Sequence, residues 1–287
     1  MKIGVVGAGA WGTALSLVCA RSDNDVVLWS YDGMYKFFDG ISMPKNISVI
    51  SDYLRLKETD VWLVVTPAAY FRETMRKMRL AYDGQPVIIC TKGAECSSGE
   101  FMSEIIAAEI PECLNVGVLS GPQFAAEVAR GVPTGSTLAG NDIVLDVGHQ
   151  ALSAMYLSDS NDVIGAQICG VGKNAVALIS GYCSVKCAGE NERALRFTRA
   201  WDEVVNIGVA MGAQVKTFLG LCGVGDLFLS ATSMTSRNYS GGVAIAKGEK
   251  PEGTVEGIFA LCGLVNRARD LGIETPILDE MYSILKK

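Results

Sequence analysis

Residues 2–20 read KIGVVGAGAWGTALSLVCA, an apolar run that breaks at glycines and resumes as a longer apolar segment. A strand through KIGVV, a tight turn over Gly7-Ala8-Gly9-Ala10-Trp11-Gly12 and a helix from TALSLVCA give the order of a pyrophosphate-binding turn. The glycines permit the turn and let an anion approach the free amides of the helix N-terminus, whose dipole favours negative charge. A second strand run, VVLW, follows in the right order. Gly7, Gly9 and Gly12 are therefore expected to cradle a noncovalently bound dinucleotide.

Further along, VVLWS, VWLVVT, PVIICTKG and LNVGVLSG look like buried strands, and the segments after Gly12, Tyr70, Phe101 and Gln123 look like helices. Near-continuous apolar strands separated by helices indicate a parallel sheet covered on both faces. From about Gln167 the pattern changes to longer helical stretches, NERALRFTRAWDEVVNIGVAMGA and GIFALCGLVNRARDLG among them. The expected fold is α/β: an N-terminal Rossmann doubly wound sheet over residues 1–165, then a mainly α-helical domain over residues 166–287.

The 287 residues exceed the usual size of one domain, and 49% hydrophobic against 20% charged residues argues against disorder. A net charge of -6 argues against a general nucleic-acid or membrane-surface binder and leaves room for a small cationic site. The N-terminal apolar run is broken by glycines and lacks a signal-peptide cleavage pattern. No apolar stretch reads as long enough and free enough of charge and glycine to span a bilayer. A soluble cytoplasmic protein is expected. The nine cysteines are odd in number and never spaced CxxC, and no histidine or second pair accompanies Cys183 and Cys187. Buried free thiols in a reducing compartment are expected, and no metal.

Charges stand out where the chain is otherwise apolar. In QICGVGKNAVALISGY, residues 167–182, Lys173 is either a costly buried ammonium needing a partner or a helix lysine that snorkels. GVGKN is not a phosphate-binding P-loop, because Asn174 follows the lysine. Lys92 follows the strand PVIIC at the carboxyl edge of the sheet, where ligands of such folds bind, or is a solvated loop lysine. Asp226, between Gly225 and Leu227, is a turn carboxylate or the partner of a buried cation. Ser236-Arg237-Asn238 suits a phosphate clamp, or Arg237 is merely exposed. The single histidine, His149, lies in polar DVGHQALS and is expected on the surface. If a carbonyl is reduced, a lysine or tyrosine must supply the proton. After the second strand stand Ser30, Tyr31 and Asp32; an acid there favours NAD and an arginine NADP, and both cofactors stay open.

Taken together, GAGAWGTAL, MPKNI, the TKG around Lys92, LSGPQFAAEV, GKNAVAL, TFLGLCGVGDLFLSATS, SRN and TVEG resemble the bacterial-type NAD(P)-dependent glycerol-3-phosphate dehydrogenases. The motifs occur in family order and span nearly the whole chain. The resemblance implies reversible reduction of dihydroxyacetone phosphate to sn-glycerol 3-phosphate for glycerophospholipid synthesis, with NAD or NADP and no metal. It implies that Lys173 protonates the developing alkoxide, that Lys92 contacts substrate and cofactor, and that Asp226 orients and charge-balances Lys173 beside the substrate. Ser236, Arg237 and Asn238 would hold the substrate, with Gly121 and Gln123 beside it. Ala10, Trp11, Tyr31, Ala125, Arg237, Thr254 and Glu256 would contact the cofactor together with Lys92 and the three glycines.

This chain departs from the family pattern at several places. Gln123 replaces a Ser or Thr, Tyr31 replaces a basic residue, Ser230 stands where Thr is frequent, and the stretch between Arg237 and Glu256 is short. The resemblance further implies a phosphorylated triose as small-molecule partner, a homodimer, no nucleic acid and no stable membrane insertion. Two other readings are a related two-domain reductase of 3-hydroxy acids or ketopantoate, and a noncatalytic dinucleotide sensor. SRN and GVGDL favour the phosphorylated triose over the first. Against the second stand Lys92, Lys173, Asp226 and Arg237, which a sensor has no need of.

Overall fold

A computed structural model describes residues 1–286. Contacts divide the chain into two units: Met1–Thr91, Met102–Leu119 and Gln123–Val163 form the first. Lys92–Phe101, Ser120–Pro122 and Ile164–Lys287 form the second, of which Lys287 lies outside the described residues.

The first unit is built on an eight-stranded sheet: β1 Lys2–Val6, β2 Asp25–Trp29, β3 Ile47–Ile50, β4 Val61–Val64, β5 Val87–Ile89, β6 Val116–Ser120, β7 Gly135–Ala139 and β8 Tyr156–Ser160. The strand order is β3-β2-β1-β4-β5-β6-β7-β8. Pairing is parallel from β3 through β6 and again between β7 and β8; Ile3, for example, faces Val26 on one side and Val61 on the other. The order reverses between β1 and β4, the switch point at which such sheets bind ligands. β4, VWLV, is wholly buried, as a strand covered on both faces must be.

Helices α1 Ala10–Arg21, α2 Ala68–Met78, α3 Met102–Glu109, α4 Ala125–Ala129 and α5 Asp142–Ala151 cover the sheet. In α2, Phe71, Met75 and Met78 recur at helical spacing and are fully buried, while Glu73 and Arg76 stay exposed. Burying such side chains contributes about 1.5–3 kcal/mol each. On α1 and α4, Leu15, Val18, Val128 and Ala129 join Ile3, Val5 and Leu28 in one apolar core.

Three strands escape the sequence reading. β3 is four residues with a polar, exposed Ser48 in it, and β7 carries buried Ser136 and Thr137 in place of an apolar run. β8 is an edge strand whose YLSDS leaves no residue fully buried. His149 is exposed as expected and pairs with Asp159 at 2.7 Å.

The second unit is helical: α6 Val163–Lys186, α7 Glu190–Ala210, α8 Val215–Phe218, α9 Asp226–Ala231, α10 Arg237–Lys247, α11 Glu256–Asp270 and α12 Pro276–Leu285. α6 corrects the expectation that no apolar stretch could span a bilayer. It is long and apolar enough by length and composition, with a mean hydropathy of 1.4 over an 18-residue window, but 83% of that window is buried. α10 comes so close to α6 that a methyl group at Gly181 would strike the Tyr239 carbonyl, and one at Gly242 the Leu178 carbonyl. Glu203 of α7 accepts the amides of Ile277 and Leu278, both at 2.9 Å, and so fastens the first turn of α12.

The free-thiol reading holds for seven cysteines and fails for two. Cys96 and Cys262, 166 residues apart, form a disulfide with their Cα atoms 5.4 Å apart. Nothing in their spacing announces it, because the fold alone brings the two segments together.

Candidate active site

In the first unit the glycine turn closes as its sequence requires. Gly7 follows β1 at φ +116°, a conformation costly for any side chain, and a methyl on Gly12 would collide with the Gly7 carbonyl. α1 starts at Ala10, three residues before the expected Thr13, with Gly12 inside it. Gly9 caps α1, and a Cβ there would meet nothing within 4 Å, leaving open space in front of the first helical amides. Buried Trp11 Nε1 and Thr66 Oγ1 find no hydrogen-bond partner among the described residues. An open helix N-terminus and unpaired polar atoms fit the phosphates and polar groups of a dinucleotide.

Just past β2, Tyr31 is exposed and the Lys77 ammonium lies 5.4 Å from its ring centroid. The Met34 amide and Ser30 hydroxyl donate to Asp32 Oδ1 at 3.0 and 3.2 Å, which hold this exposed carboxyl below the usual aspartate range. Ala125 opens α4. Gln123 accepts the Ser136 hydroxyl at 2.9 Å, and its buried amide nitrogen has no partner among the described residues.

In the second unit the anomalous charges meet. Asp226, the first residue of α9, has none of its side chain exposed. Its Oδ1 lies 3.1 Å from Lys173 Nζ and its Oδ2 2.6 Å from Lys92 Nζ. Both lysine side chains are largely buried, at 12% and 15% exposure. Lys173 therefore sits in mid-helix on α6 as a buried, paired ammonium and does not snorkel. Its Nζ also donates to Ser230 Oγ at 2.9 Å, and Ser230, one turn after Asp226, donates to Oδ1 at 3.3 Å. Lys92 Nζ donates to the Gly121 carbonyl at 2.8 Å. Gly170 admits the Lys92 stem: a Cβ there would lie 3.2 Å from Lys92 Cγ.

Burial is the largest influence on Lys173 and lowers its pKa; Asp226 opposes the effect, Lys92 reinforces it, Glu256 opposes it, and the outcome stays below the usual lysine range. For Asp226, burial pushes the carboxyl up, but the charges and hydrogen bonds of Lys173 and Lys92 outweigh it and hold the group below the usual aspartate range. Two ammonium groups and one carboxylate leave one positive charge in excess, suited to an anion or a developing alkoxide.

The remaining candidates surround this centre less directly. Ser236 caps α10 by accepting the Tyr239 amide at 3.4 Å, Arg237 is exposed, and Asn238 is buried. Asn238 Nδ2 donates to Asn174 Oδ1 at 2.7 Å, and Asn174 Nδ2 donates to the Lys92 carbonyl at 3.3 Å. Thr254 and Glu256 are exposed at the start of α11. Sequence reasoning missed Asn174 and the direct Lys92–Asp226 pair. Asn174, a buried amide in an apolar run, carries the same signal that singled out Lys173.

Residues 2–145 match the model of the NAD-dependent glycerol-3-phosphate dehydrogenase N-terminus, and residues 162–287 that of its C-terminus. A glycerol-3-phosphate dehydrogenase [NAD(P)+] from Parvibaculum lavamentivorans is 38% identical over an alignment covering 99% of this chain and 92% of that protein. A crystal structure of glycerol-3-phosphate dehydrogenase from Coxiella burnetii superposes with a TM-score of 0.91 at 29% identity, covering 99% of this chain and 94% of that one. A ketopantoate reductase from Ralstonia eutropha gives 0.68 at 16% identity, covering 100% and 97%, and shares the fold alone. Both halves of the molecule, the glycine-turn sheet and the helical unit, thus place the chain in the NAD-dependent glycerol-3-phosphate dehydrogenase family.

Proposed function

We propose that the protein reversibly reduces dihydroxyacetone phosphate to sn-glycerol 3-phosphate with NAD(P)H, supplying the backbone of glycerophospholipids. The observation that carries the reading is the bridging of Lys92 and Lys173 by one buried carboxylate, Asp226. The nicotinamide, when bound, supplies the hydride. Gly7, Gly9, Ala10, Trp11 and Gly12 hold the dinucleotide, with Tyr31, Ala125, Thr254 and Glu256 as further contacts.

Lys173 Nζ gives its proton to the C2 oxygen as that oxygen gains negative charge, and in the reverse direction the neutral amine accepts the hydroxyl proton. A lysine held below its usual pKa suits both tasks. Asp226 keeps the two ammonium groups in place and lets them share a small volume. Lys92 stabilises the anionic substrate and touches the cofactor, while Ser236, Arg237 and Asn238 take the substrate phosphate, with Gly121 and Gln123 beside the triose. The same proposal includes a cytoplasmic homodimer with no nucleic-acid partner, a cofactor domain over residues 1–165 and a catalytic domain over residues 166–287.

A substrate panel tests this reading. NADH and NADPH oxidation is followed with dihydroxyacetone phosphate, ketopantoate and short 2-oxo acids, and turnover is expected with the triose phosphate. Turnover of ketopantoate alone would assign the related reductase instead, and cofactor binding without any turnover would assign a sensor.

A further inference from the structure

The disulfide Cys96–Cys262 joins the segment that carries Lys92 to α11. Several contacts reinforce that junction. Asn266 Nδ2 donates to the Cys96 carbonyl at 2.9 Å, and Arg267 Nη2 donates to the Gly99 carbonyl at 3.1 Å. Gly263 packs so closely that a Cβ there would lie 2.7 Å from the Ala94 methyl. A second line runs from the first turn of the same helix. The Gly257 amide donates to Asn238 Oδ1 at 2.9 Å, Asn238 donates to Asn174, and Asn174 donates to the Lys92 carbonyl. Lys92 is thus fastened to α11 through hydrogen bonds at its own carbonyl and through a covalent bond four residues on.

We propose that Cys96 and Cys262 form a reversible thiol–disulfide site that couples the redox state of the protein to substrate affinity through the placement of Lys92. The proposal rests on the reading of Lys92 as a substrate contact. Cys96 is half-buried and Cys262 buried, so the thiolate of a dithiol reductant attacks Cys96 Sγ and the Cys262 thiolate leaves. The second thiol of the reductant then displaces Cys96, the reductant becomes a cyclic disulfide, and two electrons and two protons pass to the cysteine pair. Glutathione disulfide returns the pair to the bridged form. A single bridge in a chain whose seven other cysteines are unbridged fits the transient, sensing kind of disulfide found in reducing compartments. The bridged form holds the Lys92 segment on α11, and reduction leaves only hydrogen bonds and packing to do so.

Linkage makes the proposal quantitative. If the bridge tightens substrate binding by some factor, substrate must favour the bridge by the same factor, and couplings of this kind run from roughly 5-fold upward. The intact protein is equilibrated in glutathione redox buffers with and without saturating glycerol 3-phosphate and no cofactor, and the bridged fraction is counted by alkylation and mass spectrometry. Steady-state kinetics with dihydroxyacetone phosphate are then run on bridged and dithiothreitol-reduced protein. The expected result is a KM about 5-fold or more higher after reduction, a smaller change in kcat, and a thiol–disulfide equilibrium shifted by glycerol 3-phosphate toward the bridged form. Cys96→Ser and Cys262→Ser should each show the reduced-state KM and no response to dithiothreitol. A bridge that only lowers Tm on reduction, with KM and the equilibrium untouched by its partner ligand, overturns the proposal, as does a pair that never bridges in these buffers. Normal turnover with unchanged KM removes the switch and leaves the dehydrogenase standing, whereas no turnover in either state removes both.

Discussion

Asp226 Oδ2 lies 2.6 Å from Lys92 Nζ although the two residues stand 134 positions apart, and the same carboxylate reaches Lys173 through its other oxygen. One buried anion therefore compensates two cations. Asp226→Asn strands both, and breaking a buried pair in this way costs about 3–5 kcal/mol. Lys92→Met leaves the Asp226–Lys173 pair intact and should cost less. Chemical denaturation of the two variants measures the order, and equal losses would contradict the bridging role.

The pH dependence of turnover follows from the environment of Lys173. Reduction of the ketone needs the ammonium form, so its rate should fall as pH rises through a Lys173 pKa held below the usual lysine value of about 10.4. Oxidation of glycerol 3-phosphate needs the neutral amine and should rise over the same interval. Because the Asp226 charge raises the Lys173 pKa, Asp226→Asn should move both limbs to lower pH. Rate profiles in the two directions check this, and limbs that stay in place in the variant would remove Asp226 from the proton transfer.

The glycines of the first turn separate folding from binding. Gly12→Ala drives a methyl into the Gly7 carbonyl and should lower Tm sharply. Gly9→Ala has open space at an ordinary φ of -67°, so Tm should hold while the dinucleotide Kd weakens by about tenfold, ~1.4 kcal/mol. Calorimetric titration with NADH and NADPH reads the effect. An unchanged Kd would move the pyrophosphate elsewhere.

Tyr31 stands exposed beyond β2, where a cationic side chain would meet the extra phosphate of NADP. Tyr31→Arg should raise kcat/KM with NADPH relative to NADH by about tenfold, a charge-assisted contact of ~1.5 kcal/mol. The ratio of the two specificity constants decides it.

The sequence made the core of this account legible where local physics leaves few choices. A glycine turn between an apolar strand and a helix admits few other readings, and a charge among apolar residues calls for a partner, which marked Lys173 and Asp226 as candidates, while their pairing came from the family resemblance. Long-range meetings are different. Lys92 finds Asp226, and Cys96 finds Cys262, only because the helices of the second unit cross where they do, and no local spacing encodes either contact. β7 and β8 stayed hidden for another reason: buried Ser136 and Thr137 and the half-covered edge YLSDS blur the apolar signature of a strand.

The central claim is that Lys173 protonates the triose oxygen. Its most direct test is single-turnover NAD(P)H oxidation with saturating dihydroxyacetone phosphate, comparing the parent protein with Lys173→Met after circular dichroism has shown both folded. The account expects a rate lower by roughly 100- to 10,000-fold in the variant with cofactor Kd preserved. A Lys173→Met protein that transfers hydride at the parent rate would contradict it.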